Sequence, residues 1–206
     1  MHVLSFRPEV ILYIYMASCI SVLVFNILYI FADKYKGRAL EKRSLSFVGE
    51  ISAQIERLKE AGADYMVFHT DSTNFVRRTI NELKNPEKLR AFEYSVLTVK
   101  QQAPEEYTAE YLRSLRGVFL ELAGVYRKRD TIEQAYFAYL IEKFRIDEGR
   151  ESFDGIMDFL MDMITGKDVN ARENAMRAFY AIGNESAILA IWRKLEDNEM
   201  QSSIEE

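Results

Sequence analysis

Three aspartates at helical spacing come nearest to a chemical site in this sequence. Asp154, Asp158 and Asp162 stand four residues apart, so that one helix would carry all three on one face. Carboxylates in such an arrangement can hold a divalent cation or exchange protons with a substrate. No histidine or phosphate-binding loop accompanies them, and a ladder of carboxylates on one helix usually faces water. We therefore expect no metal or catalytic role and treat the three as candidate contacts for a basic protein partner.

Other residues that could carry chemistry are sparse. His69 is the only histidine outside the N-terminal tail, and Cys19 is the only cysteine. A single histidine makes neither a catalytic triad nor a zinc site without further partners. No Walker, G-x-G-x-x-G, H-E-x-x-H or G-x-S-x-G pattern occurs. The sequence therefore predicts a protein that is not an enzyme and binds no cofactor or metal.

The methionines near the aspartates allow two interpretations. Met157, Met161 and Met163 alternate with phenylalanines, and methionine-rich surfaces can form adaptable grooves. Core packing is the commoner use of such residues, and we favour it here. We likewise expect Trp192 to be a packing residue.

The N-terminal segment has the composition of a transmembrane helix. Residues 10–32 contain no charge over 23 consecutive positions. A helix of that length covers the roughly 30 Å hydrocarbon core of a bilayer. A cleaved signal peptide is disfavoured, because Arg7 alone precedes the segment and DKYKGR follows it in place of a small-residue cleavage site. Residues 1–9 are then a short tail outside the cytoplasm.

A basic cluster after the apolar segment predicts the orientation. Its members lie within ten residues: Lys34, Lys36, Arg38, Lys42 and Arg43. The positive-inside rule places this side in the cytoplasm. The same side chains are candidates for contact with anionic headgroups, at about 1 kcal/mol for each charge near the surface. The expectation is a single-pass protein of the cell membrane, with its N-terminus outside.

The apolar segment also carries a candidate helix interface. Ala17 and Ser21 form a pair of small residues at i, i+4, and Asn26 could hydrogen-bond to a second helix. These three residues are the predicted transmembrane contact positions.

The rest of the chain is acidic and rich in helix-forming residues. Residues 44–206 hold 21 basic and 29 acidic side chains, an excess of eight acids. Such a balance opposes binding to the phosphates of nucleic acid. We divide the chain into a basic juxtamembrane segment and linker helix at 33–62, a helical domain at 63–197 and a polar tail at 198–206.

Apolar spacing and capping residues predict the individual helices. One should end at Ala61-Gly62, and Asn85-Pro86 should start another. A single long helix should run from Pro104 past Tyr126. The next should begin at Asp130, with its inward residues at Ile132, Ala135, Tyr139 and Phe144. Ser152, Asp168 and Asn184 should precede the last three, which short connections would pack antiparallel.

Residues 168–184, DVNARENAMRAFYAIGN, resemble the first helix of a HEAT repeat. The resemblance rests on Arg172, Ala175, Ala178-Phe179 and Ile182-Gly183. The following ESAILAIWRKL resembles the second helix, and Ala135 to Tyr139 is a weaker echo forty residues before Ala175. The resemblance implies that antiparallel helix pairs of a HEAT-like α-solenoid follow the N-terminal transmembrane helix, so the predicted fold class is all-α.

The resulting functional hypothesis is a membrane-anchored cytoplasmic scaffold or adaptor that binds another protein through this helical surface. The partner would be a protein, and an integral membrane protein is one candidate. The alternative is a membrane-linked sensory or regulatory subunit that signals through a dimerising transmembrane and juxtamembrane helix. The sequence makes no prediction of the oligomeric state.

Overall fold

The chain is all-helical in the computed structural model, which describes residues 8–61, 73–146 and 154–183 together with residues 188, 189, 192 and 193. This part of the chain contains no strand, and eight of its helices have defined bounds. They are α1 (Pro8–Ala61), α2 (Thr73–Leu83), α3 (Pro86–Lys100), α4 (Glu105–Ser114), α5 (Arg116–Tyr126), α6 (Thr131–Phe144), α7 (Gly155–Ile164) and α8 (Val169–Ile182). Two compact units divide the chain, Met1–Arg43 and Ser44–Glu206. The predicted all-α class is confirmed.

The first unit contains the apolar part of α1. Residues Val10–Phe31 form 22 helical residues that are long and apolar enough to cross a membrane. None of their side chains is buried, so packing within the described protein does not account for their apolar character. The prediction of one N-terminal apolar helix is confirmed.

The second unit begins its core on the last turns of α1. Ile51, Ile55 and Leu58 are buried there, on the face that the apolar spacing predicted. The predicted helix end at Ala61-Gly62 falls at the edge of the described residues. Asn85 caps α3 by accepting hydrogen bonds from the backbone N–H groups of Glu87 and Lys88, which confirms the predicted start of that helix.

The long helix predicted from Pro104 is wrong, because it is divided at Leu115. This residue has ψ near 0°, and its N–H donates to the carbonyl of Leu112 at 3.1 Å instead of continuing the α-helical pattern. The Ser114 hydroxyl donates to the carbonyl of Tyr111 at 2.6 Å. Such local hydrogen bonds compete with the regular ladder, and the fully buried Leu115 holds the break in the core.

Helix α6 starts as predicted, and three of its four predicted inward residues lie against the core, while one is exposed. Asp130 caps it by accepting from the N–H of Glu133 at 2.9 Å. Phe144 is buried, and Ala135 and Tyr139 pack partly buried against the core, as predicted. Ile132, also predicted inward, is 77% exposed, whereas Phe137, which was not predicted inward, is fully buried. Phe137 stacks on Tyr126 with ring centroids 4.6 Å apart. The aromatic stack adds Phe137 to the core face of α6, a position that the local apolar spacing did not predict.

Helix α7 carries the methionine cluster. Met157, Met161 and Met163 are buried, which confirms their assignment to the core. Asp154 is the N-cap of this helix, while the predicted capping position, Ser152, lies outside the described residues. Trp192, expected to pack as well, is instead 55% exposed.

Helix α5 packs beside α7, and α6 packs beside α8. Arg116 at the start of α5 pairs with Asp154 at the start of α7, and Arg127 after α5 pairs with Asp162 in the last turn of α7. Helices α5 and α7 therefore run in the same direction. The α6–α8 pair has the same relation, because the starts of both helices meet in one groove.

Helices α6 and α8 are equivalent at an offset of 38 residues. Both contain 14 residues, and both begin after an aspartate N-cap, Asp130 and Asp168. Both end at a residue in the left-handed region, Arg145 with φ 49° and Gly183 with φ 71°. Four of the five buried positions of each helix coincide at this offset: Phe137 with Ala175, Leu140 with Ala178, Ile141 with Phe179, and Phe144 with Ile182. The forty-residue echo in the sequence therefore misaligns the two helices by two residues.

Candidate functional site

A groove lies between α6 and α8 in the second unit. This α6–α8 groove has a volume of about 300 Å³. Its lining residues are Thr131, Ile132, Ala135, Tyr136, Tyr139, Asp168, Asn170 and Asn174. The Asn174 side chain donates from Nδ2 to the carbonyl oxygen of Ala135 at 3.1 Å. That bond ties the two helices together at the floor of the groove.

The first turns of the two helices that form the groove each carry one exposed apolar side chain. Ile132 is 77% exposed, and Val169, in the first turn of α8, is 63% exposed. Each belongs to a helix whose N-terminal N–H groups are capped by its own aspartate. The caps leave little need for an anion at either helix start, so the groove is better suited to apolar contact than to phosphate binding.

One wall of the groove is held by a half-buried polar network. Tyr136 donates to a Glu93 carboxylate oxygen at 2.5 Å, and the Lys143 ammonium donates to the other at 2.7 Å. Lys143 also donates to the Tyr139 hydroxyl at 2.6 Å. The Arg90 guanidinium lies 5.6 Å from the centroid of the Tyr136 ring, within the range of a cation–π contact.

The network shifts the pKa values of its members in the directions expected for a stable ion pair. Burial alone would raise the pKa of Glu93, but the hydrogen bonds from Lys143 and Tyr136 together outweigh it and lower that pKa. Burial acts against charge on Lys143 as well, yet its contacts with Glu93 and Tyr139 raise its pKa. Burial and the Glu93 carboxylate raise the pKa of Tyr136. Tyr136 therefore remains protonated at neutral pH, and the hydrogen bonds hold both tyrosines in fixed positions.

A second concavity adjoins the groove and shares Thr131 and Asp168 with it. Its volume is about 440 Å³, and Asp162 and Lys167 also line it. Of the three aspartates singled out in the sequence, Asp162 is thus the one placed next to the groove.

The three aspartates do not form one water-facing ladder. Asp154 lies before the helix and not within it, accepts from the N–H groups of Ile156 and Met157, and pairs with Arg116. Its side chain is only 14% exposed. Asp158 is exposed, and Asp162 pairs with Arg127. The expectation that all three carboxylates face water is wrong for Asp154, which is largely buried in its pair with Arg116, whereas Asp158 and Asp162 are exposed.

The predicted membrane-surface and transmembrane residues lie on α1. Lys34, Arg38, Lys42 and Arg43 are exposed, and Arg43 also makes a contact within the protein. The side chain of Lys36 lies outside the described part of the chain. The Ser21 hydroxyl donates to the carbonyl of Ala17 at 2.8 Å within the helix, and Asn26 is exposed.

Among the described residues, no group of three acidic, histidine or cysteine side chains is placed to hold a metal ion. No family model, curated protein or solved structure matches the chain.

The α6–α8 groove was not anticipated from the sequence. A signal was present, since Tyr136, Tyr139 and Lys143 recur at i, i+3 and i+7 and thus share a face of α6. That stripe is half-polar, and only the partner Glu93, more than forty residues earlier, distinguishes it from a core-facing stripe.

Proposed function

We propose that this protein is a membrane-anchored scaffold whose helical unit binds another protein through the α6–α8 groove. The observation that supports this most directly is a pair of exposed apolar side chains: Ile132 lines the groove, and Val169 stands between the lining residues Asp168 and Asn170 in the first turn of α8. Apolar anchors next to a concave, partly aromatic surface are typical of the centre of a protein–protein interface.

We further propose that the helical unit is a short α-solenoid of the HEAT type. The 38-residue offset between α6 and α8 supports this, as do their matching caps and buried positions. Stacked helix pairs bury a continuous core and offer an extended surface without catalytic machinery. That property suits an adaptor.

The proposed location is the inner face of the cell membrane, with residues 10–32 spanning the bilayer. The 22 apolar residues of the span and the basic residues that follow them support this assignment. A tether raises the local concentration of the scaffold near a membrane-bound partner, so an integral membrane protein is the preferred class of partner.

The test is a comparison of pull-downs from detergent-solubilised membranes. The double variant Ile132→Asp/Val169→Asp should recover at least about tenfold less partner than the unaltered chain, because charge placed in an apolar contact costs several kcal/mol. Both positions are exposed, so the melting temperature should change little. Tyr94→Asp, at an exposed apolar position on α3 outside the groove lining, is the control and should retain the partner.

A double variant that recovers the same partners in the same amounts would remove the groove from the proposal. Failure to recover any reproducible partner with the unaltered chain would contradict the scaffold function itself.

The alternative, a sensory or regulatory subunit, is favoured by one observation: residues 33–61 are helical throughout. This alternative requires dimerisation through the apolar segment. Cysteines placed at Ala17 and Ser21 in a Cys19→Ser background should then crosslink between two copies in membranes, whereas a monomeric scaffold would give no crosslink.

A further inference from the structure

The part of α1 that follows the apolar residues carries a row of basic side chains on one face. Lys34, Arg38 and Lys42 stand four residues apart, and all three are exposed. Because α1 is unbroken from Pro8 to Ala61, residues at i, i+4 and i+8 lie above one another on the same side of the helix. These three residues form the basic row.

The charge around the basic row is positive. Residues 33–43 contain five basic side chains and two acidic ones, Asp33 and Glu41, which leaves an excess of three positive charges. Glu41 also has a contact within the protein. Residues 44–206 have the opposite balance, with an excess of eight acids. An anionic ligand is therefore attracted to this segment of α1 and repelled by the net charge of the residues that follow.

The basic row begins where the hydrocarbon core of a bilayer would end. Residues Val10–Phe31 are long and apolar enough to cross a membrane. Lys34 follows Phe31 by three residues, or about 5 Å along a helix, and Arg38 and Lys42 follow at intervals of about 6 Å. The headgroup region of one leaflet is roughly 5–8 Å thick, so Lys34 is placed among the headgroups.

The direction of the helix brings the later two side chains back toward the bilayer. Every Cα–Cβ bond of an α-helix tilts toward the N-terminus of the helix, and the apolar residues form the N-terminal part of α1. Long basic side chains on this segment therefore extend toward the headgroups, as lysine and arginine do near the ends of transmembrane helices. Lys42, the most distant, lies within about one Debye length of the headgroups.

We infer that the basic row binds the phosphate groups of anionic phospholipids and gathers such lipids around one side of the helix. This inference rests on the proposed span at residues 10–32 and not on the α6–α8 groove. Phospholipid is favoured over nucleic acid because the span keeps the headgroups at high local concentration beside the row. The expected gain in affinity is about fivefold for each charge that reaches the headgroups.

The test is native mass spectrometry of the full chain in a nonionic detergent, titrated with phosphatidylglycerol or with phosphatidylcholine of the same acyl chains. The dissociation constant of the first bound lipid should be at least about fivefold lower for phosphatidylglycerol. The triple variant Lys34→Gln/Arg38→Gln/Lys42→Gln leaves two bases and two acids in residues 33–43. Its preference should fall below about twofold, because the charge that distinguishes the two lipids is gone.

The matched control removes the same number of charges from the second unit. Lys100→Gln/Lys128→Gln/Arg172→Gln changes three exposed basic residues and should keep the lipid preference of the unaltered chain. Both triple variants should keep its melting temperature, since all six positions are exposed.

Equal binding of the two lipids by the unaltered chain would overturn the inference and leave the span in place, whereas binding of neither lipid would contradict the span itself. An unchanged preference in the variant of the basic row would also overturn it, as would an equal loss in the control. Glycerophosphoglycerol, the headgroup without acyl chains, should not displace the lipid. Displacement by this compound or by an RNA oligonucleotide would assign the basic row to a soluble phosphate ligand instead.

Discussion

At the scale of single residues, environment separates side chains that are identical in the sequence. Asp154 is a helix cap and a largely buried partner of Arg116, whereas Asp158, one turn later, is exposed. Asp162 lies between these extremes, in an ion pair whose members are about half exposed. The carboxylate nearest the core is therefore structural, and the one beside the groove remains accessible to a partner.

These environments predict a graded response to alanine. Asp154→Ala should lower the free energy of unfolding by about 3 kcal/mol, because it removes a cap and leaves the Arg116 charge with less compensation. Asp162→Ala should cost about 1 kcal/mol or less, since exposed ion pairs contribute little. Asp158→Ala should be within about 0.5 kcal/mol of the unaltered chain. Urea titration of the detergent-solubilised protein, followed by circular dichroism, measures all three. Equal losses at Asp154 and Asp162 would contradict the assigned environments.

At the scale of helices, two glycines have opposite effects on helix stability. Gly124 lies in the interior of α5, and a Cβ added there would meet no atom within 4 Å, so its lack of a side chain serves no packing need. Gly183 ends α8 with φ 71°, a conformation that residues with a side chain adopt at a cost. The first is a weak point of its helix and the second is its proper end.

The same substitution should therefore have opposite signs at the two positions. Gly124→Ala should raise the free energy of unfolding by about 0.5–1 kcal/mol through its higher helix propensity. Gly183→Ala should lower it by about 1 kcal/mol, because alanine is strained in the left-handed region. Each variant is the other's control in thermal unfolding. A Gly183→Ala protein as stable as Gly124→Ala would show that α8 does not end in this way.

At the scale of the whole molecule, the proposed function depends on which side of the membrane holds residues 44–206. Five basic residues follow the apolar segment, against Arg7 alone before it. We predict that protease added to sealed, right-side-out cells leaves residues 44–206 intact, and that digestion begins after permeabilisation. Immunoblotting against a C-terminal tag measures this.

A variant in which all five are glutamine tests the cause of the orientation. It should expose a fraction of the helical unit to external protease, because the charge bias across the segment is gone. Cleavage of the unaltered protein in sealed cells would move the scaffold to the outer face of the membrane.

Features that depend on neighbouring residues could be predicted from the amino-acid order alone. The starts of α3, α6 and α8 follow from Asn85, Asp130 and Asp168, since a cap acts within three residues of its own position. The apolar helix at 10–31 follows from composition. The all-helical class follows likewise from helix formers and the near absence of β-branched runs.

Features that depend on residues far apart in the chain became visible only once the helices were packed. Ile132 is exposed because α6 turns Phe137 toward Tyr126 and Phe119. The groove exists because α6 and α8 lie side by side at an offset of 38 residues, and the role of Asp154 depends on Arg116, 38 positions earlier. Helical periodicity identifies an apolar face but not the element that covers it. Which side chains stay exposed to form a site is set by packing between helices.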